Sequence, residues 1–138
     1  MNKVSPLQVS VRQTRLAAGR PCTIVSVSGR AGVHDGAWFR RLLEVRAGGG
    51  AALIIADLSQ LSSIDWWAAL ILLWVARVLR RRGGTVMLAS PQPAVAELLR
   101  SAGAHQVVPV YDTVRQATRA GTVSNSGSTR PGSRYAAR

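Results

Sequence analysis

The chain has 138 residues, 47% of them apolar, and a formal net charge of +12. That length suits one domain with a substantial core, and the apolar share excludes a wholly disordered chain. The charge invites a nucleic-acid reading, yet the arginines are scattered, and only Arg77, Arg80, Arg81 and Arg82 cluster. No zinc-finger spacing, helix-turn-helix or aromatic platform accompanies them.

Residues 1–6 read as an N-terminal extension, 7–120 as the domain and 121–138 as a basic tail. Leu7 to Thr14 alternates apolar and polar residues with period two, the pattern of a half-buried strand. Gly19-Arg20-Pro21 turns the chain, and Cys22 to Ser28 repeats the alternation, so the pair predicts an antiparallel hairpin near one sheet edge. A loop follows from Gly29 to Gly36. Between Ala37 and Val45, Trp38, Leu42 and Val45 share one face, predicting an amphipathic helix stopped by Gly48-Gly49-Gly50.

The central unit runs from Leu53 to Arg82. Ala51 to Ala56 is a continuous apolar run, which predicts a strand buried on both faces, closed by Asp57-Leu58-Ser59. Ser62 and Ser63 read as a turn before Asp65. Asp65 then reads as the cap of a helix that starts at Trp66 and ends at the basic cluster and Gly83-Gly84. This helix is apolar all round. Trp67, Leu70, Ile71, Trp74, Val75 and Val78 form one stripe, while Trp66, Ala69, Leu72, Leu73 and Leu79 occupy the other faces. Two readings stay open: a central helix wrapped by its own domain, or a surplus face that binds another protein.

Thr85 to Ala89 predicts the next strand, parallel to its predecessor through a right-handed helical crossover. Pro91 and Pro93 open a helix over Ala94 to Ala102, capped by Gly103. Val107 to Tyr111 reads as an edge strand that tolerates Pro109. Asp112 is expected to cap a last helix, Thr113 to Ala120, ended by Gly121, and the Ser-, Gly- and Arg-rich remainder to be disordered. The sum is an α/β fold, a mixed sheet of four to five strands with about four helices mainly on one face.

Catalytic chemistry finds no foothold in this pattern. His34 and His105 lie in separate loops without Cys or carboxylate at ligand spacing, so no metal and no cofactor are expected. The triple glycine lacks the Lys-Ser/Thr of a phosphate-binding loop. Cys22 is the one cysteine and reads as a buried strand thiol. The apolar run from Trp66 to Ala76 is too short for a membrane span, which takes about 20 residues, and the start lacks the apolar core of a signal peptide. A cytoplasmic interaction protein is the reading that remains.

From about Leu7 to Ala120 the chain resembles the STAS domain of bacterial anti-anti-sigma factors, also called anti-sigma factor antagonists. The resemblance rests on Ile54-Ile55-Ala56-Asp57-Leu58-Ser59, Ile64-Asp65 before an apolar helix, Arg82-Gly83-Gly84 before a strand, Ser90-Pro91 leading to Val95-Ala96-Glu97-Leu98-Leu99, and Val108 to Val114. It implies a transcription regulator that binds an anti-sigma kinase when a serine just after the second Asp is unphosphorylated. In this chain Asp65 matches that Asp, but Trp66 stands at the phosphoacceptor, Trp67 at the next hydroxyl and Ala68 at a glycine. Acidic residues that the family places after the second strand are missing here, where Gly29 is followed by Arg30, Ala31 and Gly32.

Tryptophan accepts no phosphate, so the resemblance implies a divergent member whose partner binding is not switched at residue 66. Asp57, Ser59, Asp65, Trp66, Trp67 and Leu70 are the candidate partner-binding residues, with Ser62 and Ser63 as weaker alternative phosphoacceptors. Trp66 is either an anchor for the partner or packed under the preceding loop. The implied partner is an anti-sigma factor or related kinase-like protein. Other members suggest a stress-sensing scaffold, a STAS homo-oligomer or a subunit of a lipid-transport ATPase. A basic nucleic-acid-binding protein is the alternative of another class, though no specific nucleic-acid partner is indicated.

Overall fold

The computed structural model describes residues 7–16, 19, 21–32 and 53–124, with side chains described to residue 121. The expected helix at Ala37 to Val45, His34, and the tail beyond residue 124 lie outside the described residues. The elements are β1 (Gln8–Arg15), β2 (Pro21–Ala31), β3 (Leu53–Ile64), α1 (Trp66–Arg81), β4 (Thr85–Ala89), α2 (Pro93–Ser101), β5 (Val110–Tyr111) and α3 (Val114–Ser124), with a 3-10 turn at Ala104–Gln106. One mixed five-stranded sheet has the order β1-β2-β3-β4-β5. β1 is antiparallel to β2, and the other pairings are parallel.

The sheet is covered on both faces. Ile54, Ala56, Leu58, Leu61 and Ile64 of β3 face the main core with α1 and with Val95 and Leu99 of α2. Leu53 and Ile55 point the other way, into a smaller core with Cys22, Met87 and Ala117 of α3. This is why Leu53 to Ala56 reads as unbroken apolar sequence: both faces of β3 are buried.

β3 departs from expectation at its far end. Asp57-Leu58-Ser59 does not close the strand, and Ser62 and Ser63 are not a turn, because pairing with β2 continues to Ala31↔Ile64. Two bulges make this possible. Between Ser26↔Asp57 and Ser28↔Gln60, β3 advances three residues against two in β2, and between Gly29↔Leu61 and Arg30↔Ser63 it advances two against one. Each extra residue changes the side-chain phase, so Leu58, Leu61 and Ile64, spaced by three, all stay on the core face.

α1 begins and ends by local chemistry. The Asp65 carboxylate accepts the Ala68 N–H at 3.0 Å. At the other end Gly84 N donates to Leu79 O at 2.9 Å and Gly83 N to Arg80 O at 3.1 Å, a Schellman closure that needs the positive φ of 93° at Gly83. Arg80 also ties the helix end to the chain beyond α2 by donating to Val107 O at 3.0 Å.

The last third corrects three expectations. β5 is shorter than Val107 to Tyr111, since a 3-10 turn occupies Ala104–Gln106 and Pro109, which lacks an N–H, contributes only its carbonyl, to Leu88 N at 2.9 Å. Thr113, not Asp112, caps α3: its hydroxyl accepts the Gln116 N–H at 3.0 Å, while Gln116 Oε1 takes the Asp112 N–H at 3.1 Å, close to a capping box. Gly121 does not stop the helix, which continues to Ser124. The glycine is there for space, because a Cβ on it would overlap Leu53 Cδ2.

Candidate functional site

The candidate residues fall into two groups along the β3-α1 unit. Asp57 and Ser59 precede or enter the first bulge and are engaged locally: Asp57 Oδ1 accepts the Ser59 N–H at 3.0 Å, and Ser59 O accepts the Gln92 side-chain amide at 2.8 Å. Gln92, at the start of α2, therefore clamps the start of α2 onto β3. Sequence reading did not single it out, and a lone Gln before a Pro-started helix offers no signal for such a role.

Ser62 and Ser63 belong to the bulged end of β3. The Ser62 hydroxyl donates to Gly29 O at 2.9 Å, and Ser63 Oγ accepts from Arg30 Nε at 3.2 Å. Both hydroxyls thus fasten β3 to β2, a use of short polar side chains where a ladder is irregular.

The second group is the first turn of α1. Asp65 is itself held, its N–H donating to Ala31 O at 3.0 Å. Immediately after it, Trp66 is 43% and Trp67 62% exposed, and Leu70 is half-buried. Both indoles present a large share of their surface to solvent. The inner side of α1 is instead made by Ala68, Ala69, Leu72, Leu73, Val75, Ala76 and Leu79. Most of the stripe read from the sequence faces outward, because small Ala68, Ala69 and Ala76 let the backbone lie close to the sheet, where a Trp would hold it off.

Trp74 was missing from the candidate site and is 59% exposed. Its signal was the interval of seven from Trp67, two turns of helix on one face. Among the described residues no group of three or more His, Cys, Asp or Glu could hold a metal ion. No helix among them is long and apolar enough to cross a membrane.

Fold and site together define a small α/β domain that presents a capped, aromatic-bearing helix at the end of its central strand. Residues 13–117 match the family model of the STAS domain, and the chain belongs to that family. Among solved structures it is similar to the anti-sigma factor antagonist SpoIIAA in its unphosphorylated form, with TM-score 0.66 and 17% identity over 83% of this chain and 97% of that one. A putative anti-sigma factor antagonist from Thermotoga maritima matches with TM-score 0.60 and 18% identity over 79% of this chain and 92% of that one. The murine anion transporter Slc26a9 matches with TM-score 0.68 and 14% identity, over 87% of this chain and 23% of the transporter. At these identities the likeness is one of fold. No curated protein matches the chain in sequence.

Proposed function

We propose that this STAS domain is a cytoplasmic protein-protein interaction module of the anti-sigma factor antagonist type. It binds an anti-sigma factor or related kinase-like protein, and so acts on sigma-dependent transcription, by docking rather than catalysis. The observation that carries this is the exposure of Trp66 and Trp67 directly after the Asp65 cap. Large aromatics in solvent on a rigid helix are the side chains that most often anchor a partner. A phosphate switch at this turn needs a hydroxyl, and indole has none, so docking is not switched at residue 66.

Capture of candidate anti-sigma factors by the purified chain tests the reading. Trp66→Ser is expected to weaken capture by tenfold or more, on the order of 1.4 kcal/mol or above. Capture unchanged by Trp66→Ser would remove the anchor. Absence of binding to any kinase-like anti-sigma factor would remove the function.

A further inference from the structure

The outward face of α1 extends well past the first turn. Trp67, Trp74 and Arg81 recur every seven residues and so lie in one line along the helix, opposite the buried side. Leu70 and Arg77 flank the line on one side, Ile71 and Val78 on the other. Trp67 and Trp74 stand mostly in solvent, and Leu70, Ile71 and Val78 are half-buried. No acidic residue occurs from Trp66 to Arg82. Among the described residues the one ion pair is Glu97 with Arg100, so no carboxylate there pairs with Arg77 or Arg81.

We propose that this face is a peripheral docking surface for an anionic lipid bilayer, with the two indoles at headgroup level and Arg77 and Arg81 on lipid phosphates. α1 cannot span, and its opposite side is locked in the core, so it can only lie in the plane of a membrane. Indoles suit that boundary because their rings are apolar and their N–H is not, and arginine stems lie along apolar surface while the guanidinium reaches the phosphates.

Charge decides for a bilayer over a protein groove. The net +12 is spread along the whole chain, and a flat anionic surface attracts every arginine that comes within a screening length of about 8 Å at physiological salt. A compact acidic groove would meet only the arginines on the helix. Duplex DNA offers phosphates but no apolar layer for two indoles on a convex helix. The inference rests on Trp67, Trp74, Arg77 and Arg81, and stands whether or not an anti-sigma factor binds.

Flotation of the full chain with vesicles tests it. Vesicles of equimolar phosphatidylglycerol and phosphatidylcholine should carry the protein upward, and phosphatidylcholine alone should not. The double variant Trp67→Ser/Trp74→Ser should bind about tenfold more weakly or worse. Arg77→Gln/Arg81→Gln should lose about fivefold per arginine at low salt. Indole fluorescence of the unmodified protein should be quenched by brominated lipid in the anionic vesicles, a readout that needs no variant. No flotation at low salt, flotation undiminished in the tryptophan variant, or absence of quenching would each overturn the proposal. A gel shift with duplex DNA abolished by the same tryptophan variant, without vesicle binding, would assign the face to nucleic acid and overturn it equally.

Discussion

The Asp65 carboxylate holds the Ala68 N–H at 3.0 Å, while the Asp65 N–H is itself held by Ala31 O at 3.0 Å. One residue thus fixes both the end of the β2-β3 ladder and the start of the helix that carries the tryptophans. Asp65→Ala should cost about 1 kcal/mol, as loss of an N-cap does, and Asp65→Asn should retain most of it because the amide oxygen still accepts. Urea denaturation of the two variants checks the difference.

Gly121 sits so close to Leu53 that an added Cβ would overlap Leu53 Cδ2 and press on Leu16 Cδ1 at 3.3 Å. Leu53 is fully buried, so its side chain can yield only by displacing packed neighbours. Overpacking of this kind costs about 1–3 kcal/mol, whereas alanine in place of glycine gains at most about 1 kcal/mol of helix propensity. Overpacking wins, and Gly121→Ala should lower the melting temperature despite adding a better helix former.

Local chemistry was what the chain made legible. Thr85 to Ala89, the Asp65 cap and the Gly83 stop stand where the residues placed them, since each depends on neighbours a few positions away. The mixed sheet followed from the order of such units, and the family from the resemblance carried by motifs such as Asp57-Leu58-Ser59 and Ile64-Asp65. What was hidden depends on contacts across the fold. Nothing within Asp57-Leu58-Ser59 shows that β2 will keep pairing through two bulges, and Gly121 looks like any helix stop until Leu53 is beside it. α1 hid its orientation for another reason: a helix apolar on every side carries no period that tells the core face from the solvent face.

Gln92 and Ser62 hold the two sides of the bulged strand. Gln92 Nε2 donates to Ser59 O at 2.8 Å and Ser62 Oγ to Gly29 O at 2.9 Å. Each of Gln92→Ala and Ser62→Ala should cost about 0.5–1.5 kcal/mol, the usual net worth of one hydrogen bond. The two bonds share no partner, so the double variant should be close to additive. Chemical denaturation of the set checks this, and marked non-additivity would show that β3 responds as a single unit.

The face assignment of α1 makes the sharpest contrast, because it sets a leucine against a larger residue two positions away. Leu72 is 1% exposed within the main core, and Trp74 is 59% exposed. Leu72→Ala removes packed methyl groups and leaves a cavity, so it should destabilise by about 2–5 kcal/mol. Trp74→Ala deletes more atoms from a side chain that meets mostly water, and should stay within about 0.5 kcal/mol of the parent. Size alone orders the two the other way. Equilibrium unfolding of both variants therefore tests the orientation directly, and a Trp74→Ala cost equal to that of Leu72→Ala would mean the outward side of α1 is covered.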